Sequence, residues 1–184
     1  MPLGEALNYL GDPNNKATFY ADNIRESKEF REEYYKRPGI IKSHEMPWEN
    51  SPQGLIKHMV HEKMKTTETA MDIYMLCLPP GGKSGKQAQM SEQMVFVMEG
   101  SGYDLHWDPI PEIEDKYYWK WEETPKRWDF EEGDVVYIPP YVANQHFNAS
   151  DEVQCRLVIS ANRIIKAMGF DWLEQLENAP GYEG

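Results

Sequence analysis

Cysteine is scarce in this chain of 184 residues: there are two, Cys77 and Cys155, each inside an apolar strand-like run. That setting suits buried free thiols and offers no disulfide framework. Basic residues are also few. Lys and Arg number 19 against 31 Asp and Glu, the formal net charge is −12, and no basic run interrupts the acidic excess. Such a surface repels a polyanion, which argues against nucleic acid as a partner. No stretch approaches the ~18 apolar residues of a membrane span. The opening MPLGEALNYLGDP has neither a basic nor an apolar leader region. The expectation is a cytoplasmic protein with no membrane partner. No internal repeat or low-complexity tract is present, and the length suits one domain with extensions.

What is present is a succession of short strand-like runs separated by glycine and proline. They cover residues 55–62, 70–78, 93–99, 102–108, 116–122, 127–130, 134–138, 145–149 and 154–160. This spacing predicts an all-β sandwich or barrel. Residues 1–20 read as an arm that needs a partner surface. Residues 22–37 read as a helix, with Asp22 or Asn23 as cap, Ile24, Phe30, Tyr34 and Tyr35 at helical spacing, and Pro38-Gly39 as the stop. The end of the chain, residues 162–168 and 170–178, reads as two short helices. His58 and His61 invite a metal reading, but positions three apart on a strand face opposite sides. The aromatic segment with Tyr117, Tyr118, Trp119, Trp121 and Trp128 reads as two strands with an inward aromatic face.

Two stretches carry the chemistry. In PPGGKSGKQAQMSEQMVFVMEG, Gln87, Gln89 and Gln93 stand between Gly81 and Gly100. In GDVVYIPPYVANQHFN, Gly133 is followed by Pro139, Tyr141, Asn144, His146 and Asn148. The intervals resemble the two motifs of the cupin superfamily, G-x5-H-x-H-x3-E-x6-G and G-x5-P-x-G-x2-H-x3-N, over about residues 70–160. With the Q-H-F-N ending and the C-terminal tail, the chain is most similar to small single-domain bacterial cupins of the gentisate-dioxygenase-like kind. The resemblance implies a double-stranded β-helix, a jelly-roll barrel that is usually dimeric, with its site inside. On that reading residues 1–53 form an N-terminal arm and helix packing on the barrel or a partner, 54–160 the barrel, and 161–184 a helical tail.

In metal-bearing members, the resemblance implies, the positions of Gln87, Gln89, Gln93 and Asn144 hold three imidazoles and a carboxylate. Tyr141 stands where the second motif has glycine. A neutral amide oxygen is a poor ligand for a transition metal and brings no charge to offset a dication. No tightly bound metal or other cofactor is therefore expected at this place. Either the amides Gln87, Gln89, Gln93 and Asn144, with Asn148, line a pocket for a small carboxylated or aromatic compound, or the ligands have been exchanged deliberately for isosteres in a metal-ablated barrel.

Period-two alternation puts His146 on the face of Asn144 and Asn148, where it can serve as general acid or base. The equally open alternative is a core histidine satisfied by the backbone. The expected chemistry is cofactor-independent proton transfer: isomerisation, cyclisation or elimination. The alternative is a metal-dependent cupin dioxygenase or decarboxylase with a rearranged site built from His146, His106 and Glu92 or Glu99. A third possibility is a barrel that binds without catalysing.

Overall fold

In the computed structural model, which describes residues 16–184 apart from 116 and 171, strand alternation is clean. In β5 (Gln93–Glu99) the side chains of Gln93, Val95 and Val97 are buried while Met94, Phe96 and Met98 face outward. Such strands assemble into a six-stranded antiparallel sheet in the order β1 (Trp48–Ser51), β2 (Gly54–Val60), β3 (Met71–Leu78), β12 (Cys155–Asn162), β5, β10 (Val135–Ile138). A five-stranded sheet runs in the order β13 (Leu173–Glu177), β4 (Lys86–Gln89), β11 (Ala143–Asn148), β6 (Ser101–Trp107), β9 (Lys126–Glu131). A separate ribbon pairs β7 (Pro109–Ile113) with β8 (Tyr117–Trp121). The two large sheets make the jelly roll.

The core is lopsided. Ile56, Leu76, Leu78, Val95, Val97, Ile138, Cys155, Leu157 and Ile159 all come from the six-stranded sheet; Phe130 of β9 and Val142, ahead of β11, join them. The inward face of the five-stranded sheet instead buries Gln87, Asp104, His106, Asn144 and His146. Burying polar side chains costs free energy unless they find partners, so this half of the interior is where function is to be sought.

The chain divides into two compact units, residues 1–37 and 38–184. In the first, α1 (Phe19–Tyr34) starts earlier than the sequence suggests: Thr18 is at the cap, and its hydroxyl donates to Asp22 Oδ2 at 2.6 Å. Most of the arm expected over residues 1–20 lies outside the described residues. In the second unit, strand pairing already begins at Trp48 and continues to Glu177, beyond both expected edges of the barrel. The tail differs from expectation as well. Only a single turn, α2 (Ile164–Ala167), is helical, and the expected second helix is strand β13. Without β13, the edge of β4 would carry unpaired N–H and C=O groups, and pairing satisfies them.

Alternation fails beside His58. A register shift between His58 and Val60 interrupts the β2–β3 ladder, and His61 lies past the strand end, so the two rings approach to 5.3 Å instead of facing opposite sides. His58 Nε2 lies 2.6 Å from Glu49 Oε2, and His61 Nδ1 accepts from the Lys63 N–H at 3.1 Å. The thiols are free as expected. Cys155 is buried and Cys77 half-buried, and burial pushes both up, Cys155 to about 11.

The motif glycines are positions of left-handed backbone: φ is 62° at Gly81, 89° at Gly100 and 92° at Gly133. Tyr141 keeps the same conformation, with φ 65°, although it has a side chain. Its ring is what the fold gains. It packs against Trp119, Trp121 and Trp172, with centroids 4.7, 5.7 and 5.6 Å away, and its hydroxyl donates to Glu174 Oε1 at 3.1 Å.

Candidate functional site

Four antiparallel strands lay the site out in rows. Across β4, β11, β6 and β9 one row runs Gln87, Asn144, His106, Lys126, and the next runs His146, Asp104, Trp128. Because paired residues share a face, Asn144, His146, Asp104 and His106 all turn inward together. From the opposite sheet Gln93 and Tyr74 complete the set; Tyr74 is on the parity of Leu76 and Leu78 and packs against the core. Its hydroxyl faces the Gln87 and Gln93 amides. Burial pushes this phenol up to about 12, against the pull of both amides.

His146 is wholly shielded from solvent, and so is Asp104. Nδ1 of His146 lies 2.6 Å from Asp104 Oδ1, and its backbone N–H donates to Ser84 Oγ at 2.9 Å. His106 Nε2 stands 3.6 Å from the other carboxylate oxygen, too far for a hydrogen bond but close enough for charge to matter. Burial pushes the Asp104 carboxyl up, yet its contacts with His146 and His106 outweigh burial and hold it below the usual range. Asp104 is therefore a carboxylate at neutral pH. Its Oδ1 accepts from the Nδ1–H of His146 and leaves Nε2 as the ring nitrogen without a partner.

Several polar atoms in this interior have no partner: Gln87 Nε2, Gln93 Oε1, Asn144 Oδ1, His146 Nε2, His106 Nε2 and Asp104 Oδ2. Native interiors rarely leave such groups unpaired. One amide donor, two amide acceptors and two imidazole nitrogens are thus buried here without a protein partner.

The other expected site residues are placed elsewhere or occupied. Gln89 is half-buried, donates through Nε2 to Ser91 O at 3.1 Å, and lines a separate groove of 220 Å³ with Arg163 and Trp172. Asn148 is a backbone staple: Nδ2 donates to the carbonyls of Leu78, Pro79 and Val153 at 3.3, 2.9 and 2.8 Å, and Oδ1 accepts from the Ser150 N–H at 3.0 Å. Glu99 is engaged with Arg156. His106, named from the sequence for a rearranged metal site, is buried at 5% exposure. Asp104 and Tyr74 were not singled out from the sequence. The parity of Asp104 with His106 was the available signal; nothing in the apolar run of residues 71–78 marks Tyr74.

Comparison with known proteins shows what this geometry is similar to. A salicylate 1,2-dioxygenase from Pseudoaminobacter salicylatoxidans, with gentisate adducts, superposes with a TM-score of 0.52 at 15% identity, over 84% of this chain and 36% of its own. The oxalate decarboxylase of Bacillus subtilis, with Mn(II) centres, superposes with a TM-score of 0.53 at 12% identity, over 73% and 31%. A cupin-like protein from Thermotoga maritima has a TM-score of 0.48 at 17% identity, over 71% and 87%. The fold is a cupin jelly roll. This chain thus spans about a third of the dioxygenase and of the decarboxylase. No protein-family profile matches the chain, and no curated protein matches it in sequence.

The cupin fold raises the question of a metal. The interior oxygens of Gln93 and Asn144 belong to neutral amides, which bring no charge to offset a dication. Among the described residues, no three His, Cys, Asp or Glu side chains come together as a metal site. The amides at the motif positions do not fit a transition metal.

Proposed function

We propose that this cupin barrel binds a small aromatic or carboxylated organic compound among Gln87, Gln93, Asn144 and Tyr74, without a transition metal, and transfers a proton within it through His146. The observation that carries this reading is the Asp104–His146 pair at 2.6 Å, with Nε2 of the imidazole buried and unpaired. Nε2 removes a proton from the bound compound, and the Asp104 carboxylate stabilises the imidazolium that results. The Gln87 Nε2 donor stabilises the negative charge left on the compound, and the proton returns at another atom or departs with a leaving group. The products are those of isomerisation, cyclisation or elimination, with no change of oxidation state overall.

The setting we propose is a cytoplasmic homodimer. Two free thiols suit a reducing compartment. Met94, Phe96 and Met98 expose an apolar band on the outer face of the six-stranded sheet, as a subunit interface requires. No helix among the described residues is long and apolar enough to cross a membrane.

The test is a thermal-shift screen of small aromatic and carboxylic compounds, paired with elemental analysis after incubation with ferrous, manganous, nickel and zinc ions. A compound that raises Tm in the wild type but not in Gln93→Met, with no stoichiometric metal retained, is the expected result. One metal per chain surviving dialysis overturns the metal-free reading.

A further inference from the structure

β9 ends one sheet and β10 ends the other, so the seam between them is closed by no ladder of hydrogen bonds. A groove of 640 Å³ opens there, within the size range of small-molecule sites. Its floor includes His106, 95% buried (5% exposed), whose Nε2 has no partner. Its apolar walls are Trp128, Phe130 and Val136; the Trp128 indole is half-exposed, its centroid 6.3 Å from that of His106. The polar rim is Asp108, Asp129, Asp134 and Lys126, with Lys126 already bound to Asp108 and Asp129 held by Arg127 at 2.8 Å. A flat apolar wall beside a lone buried imidazole nitrogen suits a ring with one polar substituent. A rim richer in carboxylates than in cations, on a chain of net charge −12, repels an anionic ligand.

We infer that the seam groove is a binding subsite for an uncharged or cationic aromatic ring, such as a phenol or an arylalkylamine, which stacks on Trp128 and places its polar substituent on His106 Nε2. His106 joins this subsite to the proposed centre, since Asp104 stands between the two imidazoles at 3.6 Å from Nε2 of His106 and 2.6 Å from Nδ1 of His146. The inference rests on the functional reading above and narrows it: of the two ligand classes proposed there, the groove admits the aromatic one and turns away the carboxylate.

Titration of the full chain with phenol, benzylamine and benzoate, followed by ¹⁵N–¹H NMR with the Trp128 indole N–H assigned, tests the inference. Phenol and benzylamine are expected to shift the Trp128 indole and the backbone amides of His106 and Val136, with benzoate at least tenfold weaker. Trp128→Ala, at a half-exposed edge-strand position, should weaken both tenfold or more, and Trp128→Phe should restore most of the affinity. Benzoate binding as well as the other two, or unchanged affinity in Trp128→Ala, overturns the subsite. So does a probe that shifts only the side-chain amides of Gln87, Gln93 and Asn144; that outcome would leave the amide-lined interior standing as a binding site.

Discussion

Asp104 Oδ1 lies 2.6 Å from His146 Nδ1, and the two residues are paired directly across strands β6 and β11 with no solvent reaching either. The ladder register makes this contact, since paired residues on one face of antiparallel strands hold their side chains within reach of one another. A carboxylate so placed does two things. It sets the tautomer of the imidazole, and it ties folding to pH.

Replacing Asp104 by Asn keeps the shape and removes the charge. Turnover of a compound identified by the thermal-shift screen is expected to fall by about 100-fold or more, the usual weight of an acid–base group. The pH dependence follows from the direction of the shift. The Asp104 carboxyl is held below its ordinary range in the folded state, so its stabilising contribution is fully present above the unfolded value of about 4 and is lost as pH falls through the folded one. Urea unfolding from pH 7 down to pH 2 should therefore show a steeper acid loss in the wild type than in Asp104→Asn; parallel curves would count against the ionised pair.

The interior amides should behave unlike the staple. Gln93 buries an oxygen with no partner, a cost on the order of 1–3 kcal/mol. Gln93→Met is expected to raise the Tm of the ligand-free protein and to abolish the ligand-induced shift. Asn148 satisfies three carbonyls and one N–H. Asn148→Ala is expected to lower stability by about 2–4 kcal/mol in chemical denaturation, at roughly 1 kcal/mol per lost bond.

Tyr74 should titrate late. With burial pushing its phenol up to about 12, the contribution to stability is complete below about 10, the unfolded value, and disappears as pH rises towards 12. Absorbance at the tyrosinate band should show one phenol ionising together with loss of the fold, and Tyr74→Phe should remove that transition.

Tyr141→Gly offers a balance of two effects. Glycine relieves the left-handed backbone, about 1–2 kcal/mol. It also deletes a ring packed among Trp119, Trp121 and Trp172, worth about 3–5 kcal/mol. The variant is expected to be destabilised overall, by calorimetry, while Tyr141→Phe, which loses the hydroxyl bond to Glu174, should cost about 1 kcal/mol.

Much of this was legible in the chain. Gln93, Val95 and Val97 alternate with Met94, Phe96 and Met98, and a period of two can be read without knowing any partner strand. Parity likewise sent His146 to the face of Asn144. It failed where a rule of local geometry was broken from outside: the bulge after His58 depends on how β2 meets β3, and β13 is a strand because the edge of β4 was open. Gln89 shares the parity of Gln87, yet its side chain turns to another groove beside Trp172, a residue 83 positions away in the sequence.

The sequence by itself determined an all-β sandwich or barrel, the turns at its glycines and prolines, and the absence of charge at the positions of Gln87, Gln93 and Asn144. These are properties of side-chain period and residue type, which are local. Only the tertiary structure decided that Asp104 holds His146, that Tyr74 faces Gln87 and Gln93, that Asn148 is consumed by the backbone, and that His106 floors a groove at the seam of β9 and β10. Each of these depends on strand register and on the meeting of segments up to about 70 residues apart, and no period within a single strand encodes which residue will stand opposite.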